Sequence, residues 1–317
     1  MKSCAKYLVL PALAAAVLCA CGQGAPAARG NGGLAFDGKS GQGFNNEVFV
    51  MAPDGTGVRQ LTQLRGEAHS AACSWDGKKI AFVYRQDRFK DDHQVHVMNA
   101  DGGDPRPVTS GKGRRWGVAW SPDGSKLAFT HEVDNRSDVW VMNADGSGLV
   151  NLTNDEAADA TTSGAWSPDG QKIVFSTPRF FPKGSQGSWA WELCVMDAKG
   201  GNVRRLTENA DHYDGNACWS PAGNEIAFAS QRDRKHRQTE IYVMNADGSN
   251  VRRITNDEKG SATNPAWSPD GKLLAFESKG DEFAVNLYII KPDGSELKKL
   301  TNRGRMDAAT RPSWLAK

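Results

Sequence analysis

Any chemistry in this chain has to come from a small set of side chains. His69 and His212 stand with Glu67, Asp159, Asp214 and Asp307 in corresponding stretches of a recurring pattern, and such a set could form an acid–base pair or a metal site. The spacing argues against it, because no His-x-x-x-His and no Cys-x-x-Cys occurs and the histidines belong to different copies of the pattern. No Ser, His and Asp signature stands out, and no glycine loop of the phosphate-cradling kind is present. The reading is therefore of a chain with no catalytic residue, no metal and no cofactor.

A second set is cationic. Lys39, Arg85, Arg179, Arg232 and Lys279 fall at or near the end of equivalent runs, with His131 in the remaining copy. A ring of such groups would hold carboxylates of a peptide, an acidic sugar or a partner protein; as strand-end charges they would simply face water. Arg115 and Trp116 combine the two residue types that most often anchor interfaces. His212, Tyr213 and Asp214 sit in the equivalent stretch of a later copy, and Arg311 in that of the last. An insertion over Thr177–Trp191 carries Arg179, Phe180, Phe181, Pro182, Trp189 and Trp191, aromatics that either cap the fold or offer a platform to a partner or a sugar.

The elements that must position these residues repeat six times. The Phe closing the second run falls at Phe36, Phe82, Phe129, Phe175, Phe228 and Phe276. The Gly of the later turn follows at Gly55, Gly102, Gly146, Gly200, Gly248 and Gly294, and a Thr ends each copy at Thr62, Thr109, Thr153, Thr207, Thr255 and Thr301. A period of roughly forty to fifty residues made of strand and turn signals predicts an all-β, six-bladed β-propeller with four antiparallel strands per blade. The first copy lacks a first strand, and the chain stops at Arg311, Pro312, Ser313 and Trp314, which read as a first strand with nothing after it. Pairing the two would close the ring. The loops after the outer strand and between the second and third strands vary, whereas the Asp-Gly turns are uniform, so binding is expected on the variable-loop face at the mouth of the central channel.

Residues 1–20 read as a lipoprotein signal peptide: Lys2 and Lys6 precede an apolar stretch from Tyr7 to Leu18, too short to span a bilayer. Leu18, Cys19, Ala20 and Cys21 resemble a lipobox, which implies lipidation of Cys21. Residues 21–32 then form a flexible tether rich in Ala, Gly and Pro, and 33–317 the propeller. Gly22 after that Cys favours the outer membrane, facing the periplasm. Charge is balanced, 39 Lys and Arg against 37 Asp and Glu, so no nucleic-acid partner is expected. Of Cys73, Cys194 and Cys218, the last two could bridge in an oxidising compartment, but three buried free thiols is the simpler reading.

The repeat resembles a known family. Trp166, Ser167, Pro168, Asp169, Gly170, with Ile173, Val174, Phe175, then Ile241, Tyr242, Val243, Met244 and Asp247, Gly248, and Leu206, Thr207, resemble the propeller repeat of TolB, a periplasmic component of the Tol-Pal system. It differs from the Trp-Asp repeat, since the lone Trp75, Asp76 pair lies in the first hairpin turn, and it lacks the Asp box of sialidases. TolB carries an α/β domain ahead of its propeller, and here a tether is expected in that place. The resemblance implies a monomeric, lipid-anchored envelope scaffold that binds a protein or peptide at the channel face. The competing expectation is a carbohydrate-active enzyme, a lyase or hydrolase working on an acidic oligosaccharide at the same mouth. A third is a ring that spaces envelope components through its sides.

Overall fold

The computed structural model describes residues 30–39, 45–87, 89–154, 162–178, 191–208, 212–233, 238–256, 260–279, 284–302 and 308–317. Blade 1 holds β1 (Asn31–Lys39), β2 (Asn46–Met51) and β3 (Arg59–Gln60). Blade 2 holds β4 (Glu67–Cys73), β5 (Lys79–Arg85), β6 (Gln94–Asn99) and β7 (Arg106–Pro107). Blade 3 holds β8 (Arg114–Trp120), β9 (Lys126–Val133), β10 (Arg136–Asn143) and β11 (Val150–Asn151). Blade 4 holds β12 (Thr162–Trp166), β13 (Lys172–Thr177), β14 (Glu192–Asp197) and β15 (Arg204–Arg205). Blade 5 holds β16 (Asp214–Trp219), β17 (Glu225–Ser230), β18 (Glu240–Asn245) and β19 (Arg252–Arg253). Blade 6 holds β20 (Ala262–Trp267), β21 (Leu274–Lys279), β22 (Val285–Ile290) and β23 (Lys298–Lys299). The last strand, β24 (Ala309–Ala316), returns to blade 1 and completes a sheet of order β24, β1, β2, β3.

The expected closure is therefore present: β24 pairs antiparallel with β1, Leu34 opposite Trp314 and Ala35 opposite Ser313. All six blades are four-stranded, and none of their innermost strands is left without a neighbour.

Each conserved-looking residue of the repeat has a structural task. The six Phe side chains pack between blades, five of them fully buried and Phe276 nearly so. The closing Thr accepts a backbone N–H from the third strand, at 2.9–3.0 Å in every blade. Its hydroxyl in turn donates to the polar residue before it, as Thr153 does to Asp138 and Thr301 to Asn286. In the first turn the Ser hydroxyl donates to the Asp carboxylate, as in Ser121 to Asp123, and accepts the N–H that opens the second strand. The glycine of the later turn sits at φ near +90° with its Cα pressed against the preceding blade; a Cβ on Gly248 would lie 2.6 Å from the Leu206 carbonyl oxygen. Beside it, Arg204 donates to the Asp247 carbonyl at 2.9 Å, and Arg59 and Lys298 make the same link at their own boundaries. The repeat is thus a code for joining one blade to the next.

The two turns of each blade lie at one end of the ring. Ala100 N–H reaches the Lys78 carbonyl, and Ala144, Ala198 and Ala246 repeat the link. The variable loops lie at the other end, where the innermost strands begin.

Cys73, Cys194 and Cys218 are all free thiols. Cys194 is buried between blades, so no bridge to Cys218 forms.

Candidate functional site

At the variable-loop mouth every innermost strand slips register, between His69 and Ala72 in β4 and at equivalent points in the others. The slip needs a left-handed residue, supplied by Ser70, Gly117, Asn216, Asn264 and Arg311 at φ of 49–63°. Ser and Arg accept this conformation only at a cost, so the surroundings must hold it. Two carboxylates do so. Asp37, fully buried, accepts the N–H groups of Ser70 at 2.7 Å and Ala71 at 3.1 Å. Glu277 accepts the Arg311 N–H at 2.6 Å and the side chains of Thr263 and Asn264 at 2.9 Å. The Arg311 guanidinium lies 3.4 Å from Asp37, linking the two acids across the closing strand. Burial raises the Asp37 carboxyl to about 6, against the pull of Arg311 and the two backbone donors.

His69 lies beside this pair, its Nδ1 3.1 Å from the Ser70 hydroxyl and its ring edge-on to His93 at 5.6 Å. Burial, then the charges of Arg311, His93 and Arg85, push its pKa down to about 3, so it is a neutral imidazole. Burial also lowers His93, and both of its ring nitrogens are enclosed without a partner. His212 hands its backbone carbonyl to the Trp191 N–H, and its side chain is half-buried in blade 5. Among the described residues, no three His, Cys, Asp or Glu side chains gather as a metal ion would require.

Two of the expected cations are committed to partners. Arg85 pairs with Glu67, and Arg232 with Asp214 at 3.1 Å while covering the Phe228 and Tyr242 rings. The free cationic ring expected from the sequence is not what these two form, because each second-strand Arg finds a carboxylate at the start of its own first strand. Tyr213 donates to Asn216 at 3.1 Å, and burial raises its phenol to about 12. Arg115, expected as an interface anchor, is 2 % exposed and spends its guanidinium on the carbonyls of His93, Ser110 and Gly111. It clamps the β7–β8 connection. Trp116 remains half-exposed one residue on. Arg179, Asp159, Asp307, the aromatics Phe180, Phe181 and Trp189, and Cys21 lie outside the described residues.

At the turn end the channel widens into a cavity of about 300 Å³. Small channel-facing residues leave the room: Ala72, Ala119, Ala165, Cys218, Ala266 and Ser313, one per blade. Behind them stand the tryptophans; Trp120 donates to the Ala72 carbonyl and Trp314 to that of Ala266. Cys73 replaces the sixth and turns its thiol to the equivalent carbonyl, Ser313, at 3.5 Å. Burial pushes the Cys73 and Cys218 thiols up to about 12, so neither is a nucleophile at neutral pH.

The family model of the TolB beta propeller domain matches residues 34–186 and 177–314, essentially the whole ring. The chain belongs to this TolB β-propeller family. Among solved structures it resembles TolB from Acinetobacter baumannii, at 20% identity and a TM-score of 0.74 over 90% of this chain and 67% of that one. A putative TolB from Agrobacterium tumefaciens matches at 18% identity and a TM-score of 0.65, over 90% and 99%. Oligogalacturonate lyase from Vibrio parahaemolyticus shares the fold at 20% identity and a TM-score of 0.53, over 86% and 73%. Among curated proteins none matches the sequence.

In this TolB-family ring the residues that organise the mouth, Asp37, Glu277 and His93, were not singled out by sequence. A signal was available: Asp37 and Glu277 follow the repeat Phe, where the other copies have Val83, Thr130, Ser176 and Ala229. An acid at a position otherwise apolar or hydroxylic marks a buried carboxylate with a task.

Proposed function

We propose that the protein is a non-catalytic scaffold of the bacterial envelope, anchored by lipid at Cys21 in the outer membrane, that presents its variable-loop mouth to a protein or peptide partner. The observation carrying this reading is where the chain enters the ring. Gly30 accepts the Lys317 N–H at 3.0 Å, so the point where the chain enters the ring and the point where it leaves lie together on the turn face. Eight residues lie between Cys21 and Gly30, nine Cα–Cα steps with a reach of at most about 30 Å. A lipid at Cys21 would keep the turn face towards the bilayer and direct the mouth away from it. The mouth itself is preorganised, with its charges paired and its bulges tied by Asp37 and Glu277, as a docking surface requires.

Family membership supports a partner-binding role. The test is in-cell photocrosslinking from Trp116 at the mouth and from Lys199 on the turn face. A discrete protein captured from Trp116 and not from Lys199 is the expected outcome. Capture from Lys199 alone would place the partner on the wrong face and end the reading.

A further inference from the structure

The cavity at the turn end has a wall with little to offer water. Its two hydroxyls are committed, Ser74 donating to Asp76 and Ser313 accepting the Cys73 N–H, and the Cys218 thiol turns to the Pro265 carbonyl at 3.0 Å. What remains is mainly alanine, proline and tryptophan, around room for about ten water molecules at roughly 30 Å³ each. We propose that residues 25–28 of this chain fold back into the cavity and plug it.

Three observations name this occupant. The first is where the chain enters the ring. Asn31 pairs with Ala316, which itself lines the cavity, and on its other side the Asn31 side chain hydrogen-bonds Asp270, next to Pro269 of the cavity wall. β1 lies one strand spacing from β24, about 5 Å, so the chain arrives at the cavity rim. The second is what else reaches this end. Every turn here lies within the described residues, and the stretch ahead of Gly30 is the one part of the sequence outside them that joins the ring at this face. The third is composition. Ala25, Pro26, Ala27 and Ala28 are a run of small apolar residues between Gly24 and Arg29, and four residues extend over at most about 14 Å. Their side chains are small enough to lie among the wall alanines, and Pro26 brings no N–H to a wall that could not receive one. Exchanging poorly bonded water for alanine and proline is favourable. The plug needs no lipid at Cys21; with one, it would shorten the free tether to residues 22–24 and draw the turn face closer to the bilayer.

The experiment measures alkylation of individual cysteines by iodoacetamide in the intact protein, read by mass spectrometry. Cys218 lines the cavity and reports its occupation; Cys194, fully buried between blades, reports opening of the ring. Ala27→Asp places a charge in the apolar run and should expel it, speeding alkylation of Cys218 at least about fivefold while Cys194 is unchanged. A nearby carboxylate disfavours the thiolate, so this acceleration cannot be electrostatic. Gln23→Asp, outside the run, should leave both cysteines within about twofold of the unsubstituted protein. An unchanged Cys218 rate in Ala27→Asp would overturn the proposal, whether it is fast because the cavity stands open or slow because another molecule fills it. So would an equal effect of Gln23→Asp, or a joint rise of Cys218 and Cys194. Partner capture from Trp116 at the opposite face tests the docking reading separately and should be the same in the Ala27→Asp protein.

Discussion

Asp37 and His69 flank the strained Ser70 and respond to pH in opposite senses. Asp37 binds its proton more tightly in the folded ring, at about 6 against an ordinary 3.8. Its contribution is therefore full below about pH 4 and is lost as pH rises through 6. His69 is depressed to about 3, so its contribution is present above about 6.5 and is lost as pH falls below that. His93, His96 and His131 are lowered by burial in the same direction as His69. Burial raises Glu47 in the same direction as Asp37, and four histidines against two carboxyls predict that Tm falls between pH 7 and pH 5. The His69→Gln variant should show a flatter slope over that interval in calorimetry. A Tm that rises on acidification would mean that Asp37 governs. The histidine was legible as a mouth residue in the sequence, but its neutrality was not, since that depends first on its burial and then on Arg311 and Arg85 arriving from other strands.

The strands and turns were readable because each repeats a local hydrogen-bonding solution: Ser121 with Asp123, Thr153 with Asp138. The bulge was not, because the Ser, Gly, Asn and Arg that fill this one structural position share a dihedral angle and not a side-chain type. The direction of Arg115 was equally hidden; the loop whose carbonyls it takes carries no motif. Turn glycines offer the sharpest test at this scale. Gly248→Ala requires a positive φ of a residue that disfavours it and drives a Cβ to 2.6 Å from backbone that cannot yield. Together these should cost about 2 kcal/mol or more. Gly201→Ala, with open space around its Cβ and no positive φ, should change stability little, and denaturant titration of the pair gives the comparison.

The whole ring depends on one pairing across its ends, which the incomplete first and last copies made legible. The turn-end cavity was not legible, since it arises only when six small side chains are brought around one axis. Ending the chain at Ala308 removes β24 and with it the buried Trp314 and Ala309. Burial of one indole is worth roughly 5 kcal/mol, at about 200 Å² and 25 cal/mol per Å². That alone approaches the net stability of an ordinary domain, about 5–15 kcal/mol. The truncated chain is expected to lose cooperative melting and to be cut rapidly by protease at blade 1. Retention of the full-length Tm would show that β1 does not rely on β24.

Tension on the residues ahead of Asn31 would be borne in a particular way. β1 lies between β24 and β2, bonded to both along its length and antiparallel to each. A pull along its axis loads two ladders at once in shear, where many bonds must break together, instead of peeling them one by one from a free edge. The seam that closes the ring is also the part best oriented to resist mechanical extraction.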